Sequence, residues 1–263
     1  MTKGYYTVLP GRSAITVRGA DAGDFLQGLV TQDIQTLKAG RLSYSALLTA
    51  QGKFDYDFFM RPVDDGIELE CETRLADALV ARLSMFKLRK AITITAAPVD
   101  VFAAWGDECI STPRDPRHVD LGFRMRTAPD GFTQTGFDVY DVLRLSLGVP
   151  DGSRDFARGE DTVADMGLED WNGVSFTKGC YMGQELTSRM HHRGLAKKAL
   201  YPVRISGDVL PPFTDIVVDG HIIGEMRSSH GQHGLAMLRH DALDQAKKAG
   251  LVPLPRHKGT DPT

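Results

Sequence analysis

The residues with the clearest chemical potential lie in one short segment, Lys178 to Glu185, which reads Lys-Gly-Cys-Tyr-Met-Gly-Gln-Glu. Cys180 precedes a predicted helix whose dipole favours a thiolate, and Lys178 adds a positive charge two residues away. A thiolate is the form of cysteine that attacks electrophiles and ligates metals. Gly179 and Gly183 remove side-chain bulk, so a ligand or another stretch of backbone can approach closely. The segment predicts a reactive or metal-ligating Cys180; the alternative is a helix start with a buried, inert cysteine.

The chain of 263 residues has three cysteines, Cys71, Cys109 and Cys180, and no Cys-x-x-Cys pair. An odd and scattered set argues against a disulfide framework and for a reducing compartment. It also excludes a four-cysteine zinc or iron–sulfur site within one chain. Any cluster bound at Cys180 would therefore take its remaining ligands from another protein.

Basic residues are concentrated after this segment, although the whole chain has a formal net charge of −3. Between residues 178 and 204 there are six basic side chains against one acid, Glu185. The basic residues are Lys178, Arg189, Arg193, Lys197, Lys198 and Arg204. A local excess of positive charge predicts a surface that faces an anion. The alternative is a solvated face whose ionic partners lie in the acidic segment from Glu160 to Asp170.

The composition, with 42% hydrophobic and 25% charged residues, is that of an ordinary globular protein. No apolar run approaches the ~18 residues that cross a bilayer, so we expect no membrane span. The first residues lack the apolar core of a signal peptide, which predicts a cytoplasmic protein in a bacterium. A mitochondrial matrix protein whose presequence has been removed would look the same. The chain has no dinucleotide-binding, Walker, zinc-protease or serine-hydrolase motif, so these enzyme classes are unsupported.

Hydrophobic spacing predicts two α+β domains followed by a set of short strands. Residues 1–97 predict the element order β-α-β-β-β-α-β, which is close to a ferredoxin-like unit. Residues 98–194 predict a second α+β domain that carries the Lys-Gly-Cys segment. Residues 195–250, with the turn signal Asp219-Gly220, predict a small β-barrel. Residues 251–263 form a tail, which we expect to be frayed from Pro253 onward.

The run from Ser175 to Gly194 resembles the signature of the YgfZ/GcvT-like family. Members of that family are folate-binding, aminomethyltransferase-related proteins that serve iron–sulfur cluster assembly. Residues 25–33, 44–53, 143–150 and 224–239 also match, so the resemblance spans nearly the whole chain in order. The His191-His192 extension makes the chain most similar to the mitochondrial-type branch and its bacterial relatives. The resemblance implies an α+β, aminomethyltransferase-like fold: two interleaved ferredoxin-like domains plus a small C-terminal β-barrel around a central opening.

The resemblance also implies site residues. Lys178 and Cys180 are expected to carry the chemistry, with Cys180 as a ligand of a cluster shared with a partner. Cofactor or partner contacts are expected at the other motif residues, Gly179, Gly183, Gln184 and Glu185. Apart from what the resemblance implies, we also expect such contacts at Tyr181, Arg189 and Arg193. The basic run from Arg189 to Lys198 would hold an acidic partner surface or the glutamate tail of a folate. The catalytic aspartate of the true aminomethyltransferases cannot be placed in this sequence, so enzyme activity stays open.

Three functions follow as hypotheses. The first is an accessory factor for assembly or repair of [4Fe–4S] clusters on recipient enzymes, including radical-type tRNA-modifying ones, with an A-type scaffold protein as partner. The second is a tetrahydrofolate-dependent one-carbon transferase of the aminomethyl type. The third is a tRNA-binding accessory protein, which the mildly acidic net charge and the lack of an RNP motif disfavour. We expect no membrane partner and no direct contact with nucleic acid.

Overall fold

A computed structural model describes residues 4–106 and 113–259, so Cys109 lies outside the described residues. Within these ranges the chain forms fourteen strands and six α-helices. The strands are β1 Gly4–Val8, β2 Arg12–Arg18, β3 Ser43–Leu48, β4 Phe54–Val63, β5 Gly66–Glu72, β6 Thr93–Pro98, β7 Phe102–Gly106, β8 Phe123–Met125, β9 Thr133–Gln134, β10 Lys198–Ile205, β11 Asp215–Val218, β12 His221–His230, β13 His233–Arg239 and β14 Leu251–Pro253. The helices are α1 Ala22–Gln27, α2 Thr73–Lys87, α3 Phe137–Ser146, α4 Val163–Met166, α5 Gln184–Arg193 and α6 Leu243–Ala246.

The first sheet has the strand order β3-β4-β5-β2-β6, and all of its neighbouring strands are antiparallel. Along the chain its elements follow the order β2-α1-β3-β4-β5-α2-β6, as the hydrophobic spacing predicted. Leu79 and Leu83, one turn apart on α2, are fully buried in the core beneath this sheet. The longest helix is α2 with 15 residues, and within the described ranges no helix is long and apolar enough to span a bilayer.

The second sheet, in the order β8-β7-β1-β9, contains the first strand of the chain. Tyr5 of β1 lies opposite Trp105 of β7 on one side and Thr133 of β9 on the other. The two α+β domains are therefore interleaved, as the family resemblance implied. Periodicity did not predict β1 or β9, because strands of five and two residues are too short to show a pattern.

The C-terminal sheet curls in the order β11-β12-β13-β10-β14. Its Asp219-Gly220 turn has positive φ angles of 51° and 79°, the geometry that this pair of residues predicted. One hydrophobic core joins this sheet to both α+β domains and includes Tyr44, Tyr140 and Leu235. The three parts of the chain are therefore packed on one another.

The end of the chain is packed rather than frayed. After β14 pairs with β10, the Leu254 amide donates to the Pro202 carbonyl over 2.8 Å. Arg256 forms an ion pair with Asp170, and the Gly259 amide donates to the Asp170 carbonyl. The expectation of fraying from Pro253 is therefore wrong up to Gly259. Composition gave a wrong prediction for this segment because its residues form hydrogen bonds and ion pairs with residues that are distant in the sequence.

Candidate functional site

Residues 172–183 form an irregular segment with turns and bends before α5, which we call the Cys180 loop. The Cys180 side chain is exposed. Helix α5 begins at Gln184, so Cys180 lies four residues before the helix rather than at its first turn. The N-cap of α5 is Gly183 in the left-handed conformation, with a φ of 81°. The thiol is therefore presented on a loop that a partner can reach.

The Cys180 loop is anchored to residues 28–32, which belong to another segment that carries the family resemblance. The Met182 amide donates to the Gly28 carbonyl, and the Ser175 amide donates to the Thr31 carbonyl, both over 3.0 Å. In return the Thr31 hydroxyl donates to the Gly173 carbonyl over 2.6 Å. Two motifs that are far apart in sequence thus meet in one structural unit.

Lys178 lies beneath this unit and is buried. Its Nζ donates to the carbonyls of Val30 and Gln32 over 2.7 and 2.9 Å, and lies 5.1 Å from the centre of the Tyr181 ring. Burial lowers the pKa of Lys178 to about 8, and Asp33 opposes part of that shift. The structure gives Lys178 a holding role that the sequence did not predict, while its influence on the thiolate stays a prediction.

The two glycines of the motif differ in their surroundings. A Cβ on Gly183 would lie 2.6 Å from the Thr49 carbonyl oxygen, because the β3–β4 hairpin packs against the loop here. Gly52 at the hairpin tip has a φ of 78°, and its Cβ would lie 2.8 Å from the Gly183 carbonyl oxygen. By contrast, nothing stands within 4 Å of a Cβ built on Gly179. At Gly183 the close approach is therefore by backbone, and the space beside Gly179 is open.

The remaining predicted contact residues divide into buried and exposed groups. Tyr181 is buried in the core, and burial raises the pKa of its hydroxyl to about 12. The Gln184 side chain accepts the Tyr181 amide over 3.4 Å, so it shapes the loop. Glu185, Arg189 and Arg193 are exposed and free to meet a ligand or partner.

The basic run also divides in two. Lys198 forms an ion pair with Asp161 over 3.2 Å. For this residue the alternative interpretation is confirmed, because Asp161 belongs to the acidic segment from Glu160 to Asp170. Arg189 and Arg193, one turn apart on α5, and Lys197 beyond it have no ionic partner among the described residues. These three side chains leave a cationic surface beside the Cys180 loop.

A second region, which we call the central cavity, encloses about 680 Å³ between the two α+β domains. Its lining includes the carboxylates Glu72 and Asp151 and six arginines. The arginines are Arg12, Arg74, Arg117, Arg124, Arg144 and Arg154. None of the lining residues comes from the Cys180 loop. The structure therefore separates the exposed thiol from the arginine-rich central cavity.

Buried ion pairs hold most of these arginines. Arg117 clasps Asp115 with Nε and Nη2 over 2.9 and 2.7 Å. Arg144 donates to Asp155 over 2.9 Å and to Asp141 over 2.7 Å. Burial by itself disfavours charge, yet the neighbouring Asp115 raises the pKa of Arg117, so the pair stays ionised. These pairs fix the walls of the cavity.

Two buried polar atoms in the cavity wall, Arg124 Nε and the Tyr140 hydroxyl, have no hydrogen-bond partner among the described residues. The Tyr140 side chain is buried, and its hydroxyl forms no hydrogen bond with any described residue. Burial raises the pKa of this hydroxyl to about 12, so it remains a donor at neutral pH. A buried donor without an acceptor costs stability, and a bound ligand can supply the acceptor. The volume falls within the range of about 300–1,000 Å³ typical of small-molecule sites.

Sequence analysis did not identify the lining of the central cavity. The residues come from scattered positions between Leu9 and Arg154, and no motif connects them. One signal was present in α3, where Arg144 follows Tyr140 by one turn on a buried helix face. A charged side chain on an apolar helix face indicates a buried ion pair or a site.

Comparisons with known proteins agree with this architecture. The model of the CAF17 C-terminal beta-barrel domain matches residues 197–257. The solved glycine cleavage system aminomethyltransferase T from Bartonella henselae has a TM-score of 0.72 at 15% identity, covering 92% of this chain and 80% of that chain. That likeness shows the fold.

Curated relatives are more similar to this chain in sequence than that solved structure is. The mitochondrial iron–sulfur cluster assembly factor IBA57 of Mus musculus is 32% identical over 279 residues, which cover 89% of this chain and 77% of that protein. The Homo sapiens protein of the same name is also 32% identical, with 88% and 76% covered. Because the identity extends through both α+β domains and the curled C-terminal sheet, the chain belongs to the IBA57 family.

Proposed function

We propose that this protein is an accessory factor in the assembly or repair of [4Fe–4S] clusters on recipient enzymes. The observation that carries the proposal is the exposed Cys180 thiol on a loop fixed by buried contacts. The names of the relatives as iron–sulfur cluster assembly factors support it. The proposal covers a bacterial cytoplasm and a mitochondrial matrix, because both are reducing compartments in which a free thiol persists.

In this role Cys180 is a transient ligand of a cluster that an A-type scaffold protein carries. A [4Fe–4S] cluster is held by about four thiolates, so one cysteine from this chain shares the cluster with its donor. The other described cysteine, Cys71, is 1% exposed, and burial raises the pKa of its thiol to about 12. Of the two, Cys180 is therefore the thiol available for exchange.

The surroundings of Cys180 suit an encounter with a protein. Lys178 and the contact between Gly52 and Gly183 fix the loop, so little conformational entropy is lost when a partner binds. The unpaired cations Arg189, Arg193 and Lys197 would attract an acidic partner surface and speed the encounter.

The test is anaerobic mixing with a cluster-loaded A-type scaffold, followed by visible absorption and size-exclusion chromatography. Wild type and Cys71→Ala should form a coloured complex, whereas Cys180→Ala and Cys180→Ser should form none. Because Cys180 is exposed, its substitution should change the free energy of unfolding by less than about 0.5 kcal/mol. A coloured complex with both Cys180 variants would overturn the role of this thiol.

A folate-dependent one-carbon transferase is a second candidate, which the central cavity favours. The residues present fit a folate. Phe137 and Tyr140 offer aromatic contact and a hydrogen-bond donor for its ring system. Arg74 and Arg154 already pair with carboxylates of this chain, yet both stay partly exposed and can add a contact to the carboxylates of a folate. A bound tetrahydrofolate would supply the one-carbon unit. These side chains would bind it, orient it and exclude water.

Anaerobic calorimetric titration with tetrahydrofolate tests this candidate. Wild type should bind, and Tyr140→Phe should bind about tenfold more weakly, because a buried hydrogen bond to the ligand contributes roughly 1 kcal/mol or more. Absence of binding to wild type would remove the candidate.

A further inference from the structure

The turn that follows α2 has an unusual residue at its tightest position. The Lys90 amide donates to the Lys87 carbonyl over 2.9 Å, which closes a four-residue turn from Lys87 to Lys90. Leu88, its second residue, has a φ of 46° and a ψ of −117°. These angles belong to the second residue of a type II′ turn, a position that normally requires glycine because a Cβ is crowded there. We call residues 87–90 the Leu88 turn.

No packing within the described chain accounts for this leucine. Leu88 is 87% exposed, and Met85, three residues earlier on α2, is 68% exposed. A turn with glycine at this position would relieve the strain and remove an apolar side chain from water. Strained conformations of this kind persist where the strained residue has a function.

The charged side chains of the Leu88 turn itself are all cationic. Lys87, Arg89 and Lys90 have no ionic partner among the described residues, whereas Asp21 uses its carboxylate to accept the Ala91 backbone amide over 2.7 Å. An exposed leucine surrounded by three cations complements an apolar pocket bordered by carboxylates.

The Leu88 turn is connected to the Cys180 loop through α1. Asp21, just before α1, accepts the Ala91 amide next to the Leu88 turn. At the other end of α1, the Gly28 carbonyl accepts the Met182 amide of the Cys180 loop. A helix of six residues is about 9 Å long. An interface of ordinary size, about 800 Å² on each partner, can therefore include both features.

We propose that the Leu88 turn is the docking element for the protein that shares the cluster at Cys180, with Leu88 inserted in an acid-bordered apolar pocket of that partner. This inference rests on the function proposed above. A protein fits better than a lipid surface because the turn presents one leucine in a fixed geometry. A fluid bilayer gains nothing from that geometry and is held weakly by so little apolar area.

The test is calorimetric titration of the cluster-loaded A-type scaffold into wild type, Leu88→Gly and Arg89→Glu. Leu88→Gly should raise the melting temperature and weaken binding about tenfold or more, because the anchor is lost while the strain is relieved. Arg89→Glu should also weaken binding, by a factor that shrinks as salt is added. Ile222→Thr, at a 55% exposed apolar position on β12, is the matched control and should bind like wild type.

The outcomes separate the two proposals. Unchanged affinity of Leu88→Gly, combined with loss of colour in Cys180→Ala, overturns the docking element and leaves the cluster role standing. Weaker binding of Leu88→Gly with the visible spectrum of its complex preserved at saturation supports both. Absence of any complex with wild type overturns both. Binding to phosphatidylcholine–phosphatidylglycerol vesicles that Leu88→Gly abolishes, with unchanged scaffold affinity, would assign the turn to a lipid surface instead.

Discussion

The Cys180 loop and the central cavity use burial in opposite ways. At the loop the buried cation Lys178 donates hydrogen bonds to backbone carbonyls, and the Cys180 thiol stays at the surface. In the cavity buried arginines and carboxylates satisfy one another, and the Tyr140 hydroxyl is left without a partner. A thiol that shares a cluster with a partner must be reachable, whereas an enclosed donor is suited to a ligand that enters. Under the functions proposed above, the loop would meet a protein partner and the cavity would hold a small ligand.

The largest expected effect on stability tests whether the loop depends on its contact with the hairpin. Gly183→Ala should destabilise the protein by roughly 2–4 kcal/mol, because its Cβ meets the Thr49 carbonyl and its φ is positive. Gly179→Ala, where nothing stands within 4 Å, should change stability by less than about 0.5 kcal/mol. Urea unfolding measures both. Equal effects of the two substitutions would show that the hairpin contact does not hold the loop.

The second prediction concerns the buried cation of the loop. Burial lowers the Lys178 pKa from 10.5 to about 8, so between these values the unfolded chain holds a proton that the folded chain has lost. Stability must therefore rise as pH increases through this window. Relative to Lys178→Met, wild type should gain roughly 2–3 kcal/mol between pH 8 and 10.5. Denaturation of both proteins across this range checks it, and a constant difference would mean that the ammonium is not desolvated.

The third prediction concerns Asp57 beside the cavity, where stability should change with pH in the opposite direction. Asp57 lies near Glu72 of the cavity wall, since a Cβ on Gly152 would be 2.5 Å from Glu72 Oε1 and 2.9 Å from Asp57 Oδ1. Burial and the Glu72 charge raise the Asp57 pKa from 3.8 to about 6, so the folded chain holds the extra proton. Compared with Asp57→Asn, wild type should gain roughly 2 kcal/mol of stability as pH falls from 6 to 4. Thermal melts at several pH values measure it; no pH-dependent difference would place Asp57 in water.

The smallest expected effect sharpens the interpretation of Tyr140. Its hydroxyl has no hydrogen-bond partner in residues 4–106 and 113–259, so Tyr140→Phe should leave stability within about 1 kcal/mol of wild type or raise it slightly. A loss of several kcal/mol in urea unfolding would mean that this hydroxyl already holds the fold together. The cavity would then be a structural feature rather than a site.

Local patterns predicted much of the fold. Alternating and helical spacing gave the right order of elements in the first domain, and Asp219-Gly220 marked its turn, because these signals depend on neighbouring residues. The interleaved β1 was beyond such reasoning, since its partner β7 lies about a hundred residues later. Composition likewise failed at the end of the chain, where Arg256 finds its ionic partner in Asp170.

The order of residues was enough to identify the candidate chemical groups of the Cys180 loop. A cysteine flanked by Gly179 and Gly183, a run of basic residues and a family signature are properties of the order of residues, and residues 175–204 contain all of them. Tertiary structure alone decided how they are used. The Lys178 ammonium meets carbonyls 146 and 148 residues away, Gly183 meets the β3–β4 hairpin, and the cavity arginines converge from separate elements. Contacts of such long range depend on how whole elements pack, and they leave no local trace in the sequence.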